Sequence, residues 1–267
     1  MRLAPLNNQV VFKKLFQDKE ILCTFVKDLT GLDIDPERIE TEKKFDPPIG
    51  HIDIELDIFA EDSAHRIIVE IQRIRYEDHF DRFLHYWLAA IIDLAKSHRQ
   101  YELTRQVHTI VWLTRKAKDK RFQHDIVVTK LDSSISGGTL SLYPHKLYFL
   151  NPFYPNEHTP PMVTEWFRLV VESIENPDNP NIVTERDVLH KAFKLISDDG
   201  LSPSDRATMI DELEWERTLK NNRTEGIDLG QAKIIVSLHE RGMTVAEIAE
   251  MTSLPIVEVE RLLKLCS

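Results

Sequence analysis

The stretch VHTIVWLT, residues 107–114, is apolar at almost every position. Such a run reads as a strand buried on both faces, which requires a sheet with packed layers on either side. The chain around it supplies those layers. Phe12, Leu15, Phe16, Leu22, Phe25, Val26 and Leu29 recur at three- and four-residue spacing, which predicts one amphipathic helix from about residue 9 to 30, stopped by Gly31. DPPIG at 46–50 reads as a turn. After it HIDIELDIFAED alternates, with Ile52, Ile54, Leu56 and Ile58 facing one way and Asp53, Glu55 and Asp57 the other. EDSAH is short enough for a hairpin loop, and RIIVEIQR returns as the second arm with Ile68, Glu70 and Gln72 on one face. From 77 to 96, an apolar stripe through Phe80, Phe83, Leu84, Trp87, Leu88, Ile91 and Ala95 predicts a second helix. Further strands are expected at 125–131 and 140–150. The order helix, strands, helix, strand, strands predicts an α/β fold, a mixed central sheet flanked by helices.

NPFYPNEHTPP, residues 151–161, holds four prolines and ends that pattern. A domain boundary is therefore expected there, with residues 1–155 forming the α/β domain and 156–267 an all-α region. A chain of 267 residues has room for one sizeable core and a smaller second domain. The net charge of −10 argues against a nucleic-acid partner until its distribution is considered. Residues 1–150 carry 22 Lys and Arg against 23 Asp and Glu, so the acidity belongs to the remainder, while LTRKAKDKR at 113–121 reads as a basic, solvated connection. No stretch has the length of a membrane span, and MRLAPLNNQV lacks the apolar core of a signal peptide, so a soluble, cytoplasmic protein is expected. Cys23 and Cys266 offer neither a disulfide framework nor zinc-ligand spacing.

The chemistry concentrates on the hairpin. Asp57 on one arm and Glu70 on the other place two carboxylates at one end of a sheet, with Gln72 two residues on. Neighbouring carboxylates repel, and burying them costs free energy unless a cation or donor answers them. A hard divalent ion does so: Mg²⁺, with Mn²⁺ as its substitute, takes one or two carboxylates and completes its octahedron with waters and phosphate oxygens. Asp57, Glu70 and the backbone carbonyl of Ile71 are the expected ligands, and Gln72, which can accept and donate at once, is the expected orienter of an attacking water. Alternation alone does not separate Asp57 from Asp53 and Glu55, which read equally well as solvated acids. Arg82 and Tyr86, four apart on the second helix, lie on one side of it. They are candidates to grip a phosphate, with an ion pair from Arg82 to Glu70 or Asp78 as the other reading. The histidines, His79 and His85 included, do not converge. No Walker loop, nucleophile elbow or dinucleotide fingerprint is present, so no organic cofactor is expected.

The ordered series VVFKKLF, LDIFAED, IIVEIQ and DHFDRFLHYW resembles the recombination-promoting nuclease and transposase branch of the PD-(D/E)XK nuclease superfamily. The resemblance covers roughly residues 8–150 and the tail from EGIDLGQAKIIV to ERLL. It implies a restriction-endonuclease-like core and a Mg²⁺-dependent DNA endonuclease linked to recombination or mobile DNA. An Asp on the second core strand and an E-x-Q on the third would hold metal and activate water, and these match Asp57, Glu70 and Gln72; this match is what favours Asp57 over its neighbours. Hydrolysis would run by direct attack of water, and cutting two strands suggests a homodimer. One departure stands out: Gln9 occupies a position where relatives often carry an acid, which puts a second metal in doubt. The alternative is a nuclease-derived binding or regulatory protein that has lost its chemistry and acts through its helical tail. That tail, GMTVAEIAEMTSLPIVEVERLL, has helix-turn-helix rhythm with Ile248, Leu254, Val257 and Leu262 as its expected core. Its second helix presents Glu258 and Glu260 where a DNA reader needs donors, with only Arg261 and Lys264 in compensation, so protein contact or dimerisation is the favoured role.

Overall fold

The computed structural model describes residues 2–45, 54–72, 80–96, 103–117, 120 and 123–265. The turn at 46–50, Ile52, Asp53, Asp78 and His79 lie outside the described residues. Two compact units divide the chain, Met1–Met209 and Ile210–Ser267.

The first unit opens with two helices, α1 (Gln9–Phe16) and α2 (Lys19–Thr30), where the periodicity predicted one. The break is made by side chains. Asn8 caps α1 through its Oδ1, which accepts from the N–H groups of Val10 and Val11 at 3.1 and 3.3 Å. Asp18 caps α2 by accepting from Ile21 N at 3.2 Å. An Asp that bonds the backbone ahead of it starts a helix rather than continuing one. As predicted, Gly31 ends α2, in the left-handed conformation at φ 78°.

Among the described residues six strands follow: β1 (Arg38–Lys44), β2 (Glu55–Glu61), β3 (His65–Gln72), β4 (Gln106–Leu113), β5 (Ile126–Ile135) and β6 (Gly138–Leu150), with α3 (Phe80–Lys96) between β3 and β4. They form one mixed sheet in the order β1-β2-β3-β4-β6-β5. The β1/β2, β2/β3 and β5/β6 pairs are antiparallel; β3/β4 and β4/β6 are parallel. The expected α/β architecture with helices on both faces is therefore present. On one face α1 and α2 pack onto Ile58, Ile67, Val69, Ile110 and Trp112. On the other, Phe83, Trp87 and Leu94 of α3 pack onto Phe59, Ile68, Val107 and Val111. The strand β1, RIETEKK, escaped the sequence reading because an edge strand of charged residues carries no apolar alternation.

The proline-rich stretch at 151–161 is a loop within the first unit, and the division falls at Met209/Ile210 rather than at 155/156. Pro161 opens a further helix, α4 (Pro161–Glu175), and α5 (Asp187–Ile196) follows. Val163, Trp166, Phe167, Leu169, Val170, Leu189 and Ile196 from these two helices are buried in the same core as α1 and α2. A polar clasp reinforces the contact: Trp166 Nε1 and the Arg186 guanidinium both donate to Asp28 Oδ2, at 2.7 and 2.5 Å, and Arg186 also donates to Glu165 at 3.0 Å.

The long α6 (Pro203–Glu240) runs as one helix, and α7 (Val245–Thr252) and α8 (Ile256–Leu265) complete the second unit. Its core is Ala232, Ile235, Ile248, Ala249, Val259 and Leu262. Val257, expected inside, is 76% exposed. The phase of α8 explains this: Val259 and Leu262 are three apart and share the inner face, and a residue two positions before Val259 points away from it. Among the described residues no helix is long and apolar enough to cross a membrane.

A chain ending at Pro155 loses Val163, Trp166, Phe167, Leu169, Val170 and Leu189 from the core. At roughly 1.5–3 kcal/mol per buried side chain, that matches the whole stability of a domain, roughly 5–15 kcal/mol. The chain cut after residue 155 should therefore show no cooperative urea transition, and the chain cut after Met209 should keep one; the reverse result would restore the earlier boundary.

Candidate functional site

The β2/β3 ladder pairs Glu61 with Arg66, Ala60 with Ile67, Phe59 with Ile68 and Ile58 with Val69. One step beyond stand Asp57 and Glu70, and there side chains replace the backbone ladder. Asp57 N donates to Glu70 Oε1 at 2.9 Å, and Ile71 N donates to Asp57 Oδ2 at 3.0 Å. The N–H of Asp57 is thus satisfied by the carboxylate of Glu70 and that of Ile71 by the carboxylate of Asp57, where the regular pairing of the two strands ends.

The alternation predicted for β2 breaks at this point. Leu56 packs on the α3 side of the sheet, Ile58 on the α1 side, although they are only two apart. On the neighbouring edge strand, Thr41 pairs with Ile58 and Lys43 with Leu56, and the residue between, Glu42, sits at φ 55°. A left-handed backbone at a residue with a side chain costs about 1–2 kcal/mol. Strain of that kind concentrates beside functional groups.

Both carboxylates are buried: Asp57 is 9% exposed and Glu70 2%. Burial pushes Glu70 well above the usual carboxylate range and the charge of Asp57 pushes it further, against the Asp57 N–H, Arg82 and Lys13. Burial also raises Asp57, opposed by the Ile71 N–H, the Gln9 amide and the charges of Lys13 and Arg82. Helix α1 supplies two of these partners, one turn apart. Gln9 Nε2 donates to Asp57 Oδ1 at 2.9 Å, and Lys13 Nζ stands 3.8 Å from the same oxygen while donating to Glu42 Oε1 at 2.9 Å.

From the opposite side, α3 brings Arg82, which donates to Gln72 Oε1 at 2.8 Å and lies 5.7 Å above the Tyr86 ring. Burial raises the half-buried Tyr86 phenol; Arg82 opposes that, and the charges of Glu70 and Asp57 add to it. Arg82 therefore meets the acids through Gln72 and through space rather than by the direct pair with Glu70 that was one of the two expectations. Glu55, another candidate acid, is exposed and paired with Lys44 at 2.9 Å, outside the cluster.

The residues fit a hard divalent ion. Two buried carboxylates whose charged forms are disfavoured by burial and by each other are the donor chemistry that such an ion relieves. Among the described residues the protein donors would be the two carboxylates and a backbone carbonyl. Ile71 can provide that carbonyl. In an extended strand the N–H and C=O of one residue point to the same side, and Ile71 N points at Asp57. The next carbonyl, of Gln72, turns the other way and accepts from Thr114 N and Oγ1 at 3.3 and 3.1 Å.

The sequence reading missed Lys13 and Glu42. A signal for Lys13 existed: it lies one turn from Gln9, inside the stripe of Phe12 and Phe16, where a 9% exposed lysine requires a partner. Glu42 left no signal, since nothing in RIETEKK marks a positive φ. Compared with known protein families, curated proteins and solved structures, the chain gives no match.

The raised pKa of Glu70 has a definite sign in stability. A carboxyl whose folded pKa lies above its unfolded value favours the fold below the ordinary carboxylate range and loses that contribution as pH rises through the folded value. In EDTA, the urea midpoint of Glu70→Gln should exceed that of the parent at pH 8, and the gap should shrink toward pH 5. A gap that stays constant with pH would show that Glu70 titrates normally.

Proposed function

We propose that the first unit is a Mg²⁺-dependent DNA endonuclease of the PD-(D/E)XK type, linked to recombination or mobile DNA. The observation that carries this reading is the buried pair Asp57 and Glu70 interlocked at the open end of the β2/β3 hairpin, with Gln72 and Arg82 beside it. Position supports it as well. Gln72 pairs with Leu113 across the parallel β3/β4 pair, so the site lies at the carboxyl ends of parallel strands, where α/β sheets bind ligands. The helix, the three antiparallel strands, the crossover helix and the parallel strand agree with a restriction-endonuclease-like core.

Asp57, Glu70 and the Ile71 carbonyl would hold the ion. When bound it supplies charge stabilisation at the phosphate and a water acidic enough to attack. The rest falls to the chain's own groups. Arg82 fixes the Gln72 carboxamide through its oxygen, which sets the direction in which the amide nitrogen can donate to the attacking water. Lys13 and Arg82 flank the carboxylates with positive charge on either side and complement a phosphate. In the net step the water oxygen would bond to phosphorus while the bond to the leaving oxygen breaks in line, and the proton that the water gives up would end on that leaving oxygen, with no covalent enzyme intermediate.

For the second unit we propose protein contact rather than base reading. Arg261, the cation best placed on α8, donates to Asp228 at 2.9 Å and to Glu258 at 2.7 Å, which leaves its charge answered within the unit. Met251, Ile256 and Val257 are exposed apolar residues on α7 and α8. This arrangement also favours the second reading of the whole chain, a nuclease-derived binding protein.

Cleavage of supercoiled plasmid with Mg²⁺, Mn²⁺ or EDTA separates the two. Asp57→Ala and Glu70→Ala should each lower metal-dependent cleavage by about 10³-fold or more, as expected for loss of an essential group. Gln72→Ala should slow turnover while leaving Mn²⁺ affinity within a few-fold. Full cleavage by either alanine variant would refute the site, and a parent chain that neither cuts nor binds Mn²⁺ would favour the binding protein.

A further inference from the structure

Gln72 carries no charge, so the core of the site lacks a cation on β3, and a helix that lies across from it carries one. Gln9 and Lys13 stand one turn apart on α1 and converge on a single oxygen, Asp57 Oδ1, at 2.9 and 3.8 Å. We propose that α1 gives this site a built-in positive charge, Lys13, which binds the scissile phosphate, and that Gln9 and Lys13 together close the α1 side of Asp57 to a second divalent ion. The inference rests on the nuclease reading of the site and makes it a one-metal site.

Three observations carry it. First, the donor set on α1 has the wrong sign for metal. Two-metal sites hold their ions about 3.5–4 Å apart, and a second ion would need an acid near Asp57 Oδ1. An amide N–H₂ and an ammonium meet that oxygen instead, and both repel cations.

Second, Lys13 is buried at 9% exposure, so its charge acts through a medium that screens it far less than water does. Arg82, on the other side, is exposed and counts for less. Third, the ammonium is held in place rather than saturated. It gives one hydrogen bond to Glu42 Oε1 at 2.9 Å, and 3.8 Å to Asp57 is attraction without a hydrogen bond. An ammonium has three donors, and the Glu42 side chain that holds it is itself largely exposed, so a phosphate oxygen can compete at this edge. Glu42, which holds that ammonium, sits at φ 55° next to the gap in the β1/β2 pairing opposite Asp57.

Mn²⁺ titration followed by the EPR signal of the free ion, together with plasmid nicking, tests the proposal on the full chain, its Lys13→Gln variant and its Lys13→Arg variant. The parent should bind one Mn²⁺ per chain. Lys13→Gln should bind Mn²⁺ as tightly or more tightly, because a cation beside a ligand carboxylate is gone, and should turn over about 10²-fold more slowly, the scale of losing one preorganised donor to the transition state. Lys13→Arg should recover most of that rate. Two ions bound by the parent would overturn the proposal while leaving the nuclease reading intact, and so would undiminished turnover by Lys13→Gln or a weakening of its Mn²⁺ binding, which would make Lys13 a scaffold. A parent that binds no Mn²⁺ would overturn both. The ion count on the parent stands even if Lys13→Gln does not fold.

Discussion

Two carboxylates that replace backbone ladder bonds at the mouth of the β2/β3 hairpin are the constraint on which the rest of the site depends. Asp57 takes the N–H of Ile71 and Glu70 takes the N–H of Asp57, so the strands stay together at the point where their regular pairing ends. The consequence is geometric. The Ile71 carbonyl shares the direction of its N–H and faces the same gap, the Gln72 carbonyl is sent to Thr114, and the Gln72 side chain emerges beside α3, where Arg82 meets it. The sheet on both sides is thick: Trp87 and Phe83 fill one layer, Phe12, Phe16, Phe25 and Trp112 the other. Those layers hold the carboxylates out of water, and exclusion from water is what raises their protonation energies.

The fold was legible where packing wrote a period into the sequence. VHTIVWLT became β4, a central strand paired in parallel on both sides, and the stripe from Phe80 to Ala95 became α3. Legibility failed where a polar side chain overrode a period or where a strand had none. Asp18 cut a helix that apolar spacing alone would continue, and β1 is mostly charged, with Ile39 its one apolar residue. The boundary near residue 155 failed for another reason. Prolines mark a loop, but whether a loop separates domains depends on what the later helices bury, and Trp166 and Leu189 bury themselves against α2.

The candidate site was half legible. Two acids and an amide on facing arms could be read from spacing, yet the alternation used to place them does not hold through Asp57, where Leu56 and Ile58 turn to opposite faces. Pairing between Asp57 and Glu70 survived because both sit at the same level of the hairpin, a property of its loop length rather than of strand parity. Lys13 was missed because apolar periodicity treats lysine as background. Long-range pairs such as Lys13 with Glu42, or Asp28 with Arg186, link elements far apart in sequence, and no local pattern encodes them.

What makes this corner of the molecule informative is that it is costly. A buried pair of carboxyl groups and a left-handed glutamate occupy neighbouring positions on three adjacent strands, while the centres of β3 and β4 are mainly apolar. A core of Val and Ile at positions 57 and 70 would remove the repulsion and the desolvation together, since uncharged side chains of similar size pack without either. Local conflicts of this kind gather at sites kept for chemistry rather than for stability. The surroundings answer the conflict only in part. Gln9 and Lys13 approach Asp57, Arg82 approaches through Gln72, but Glu70 accepts its protein hydrogen bond from one backbone N–H and remains raised. That residual imbalance has the sign a bound cation would cancel. It therefore links the strained backbone at Glu42, the protonation of Glu70 and the proposed chemistry in one electrostatic argument.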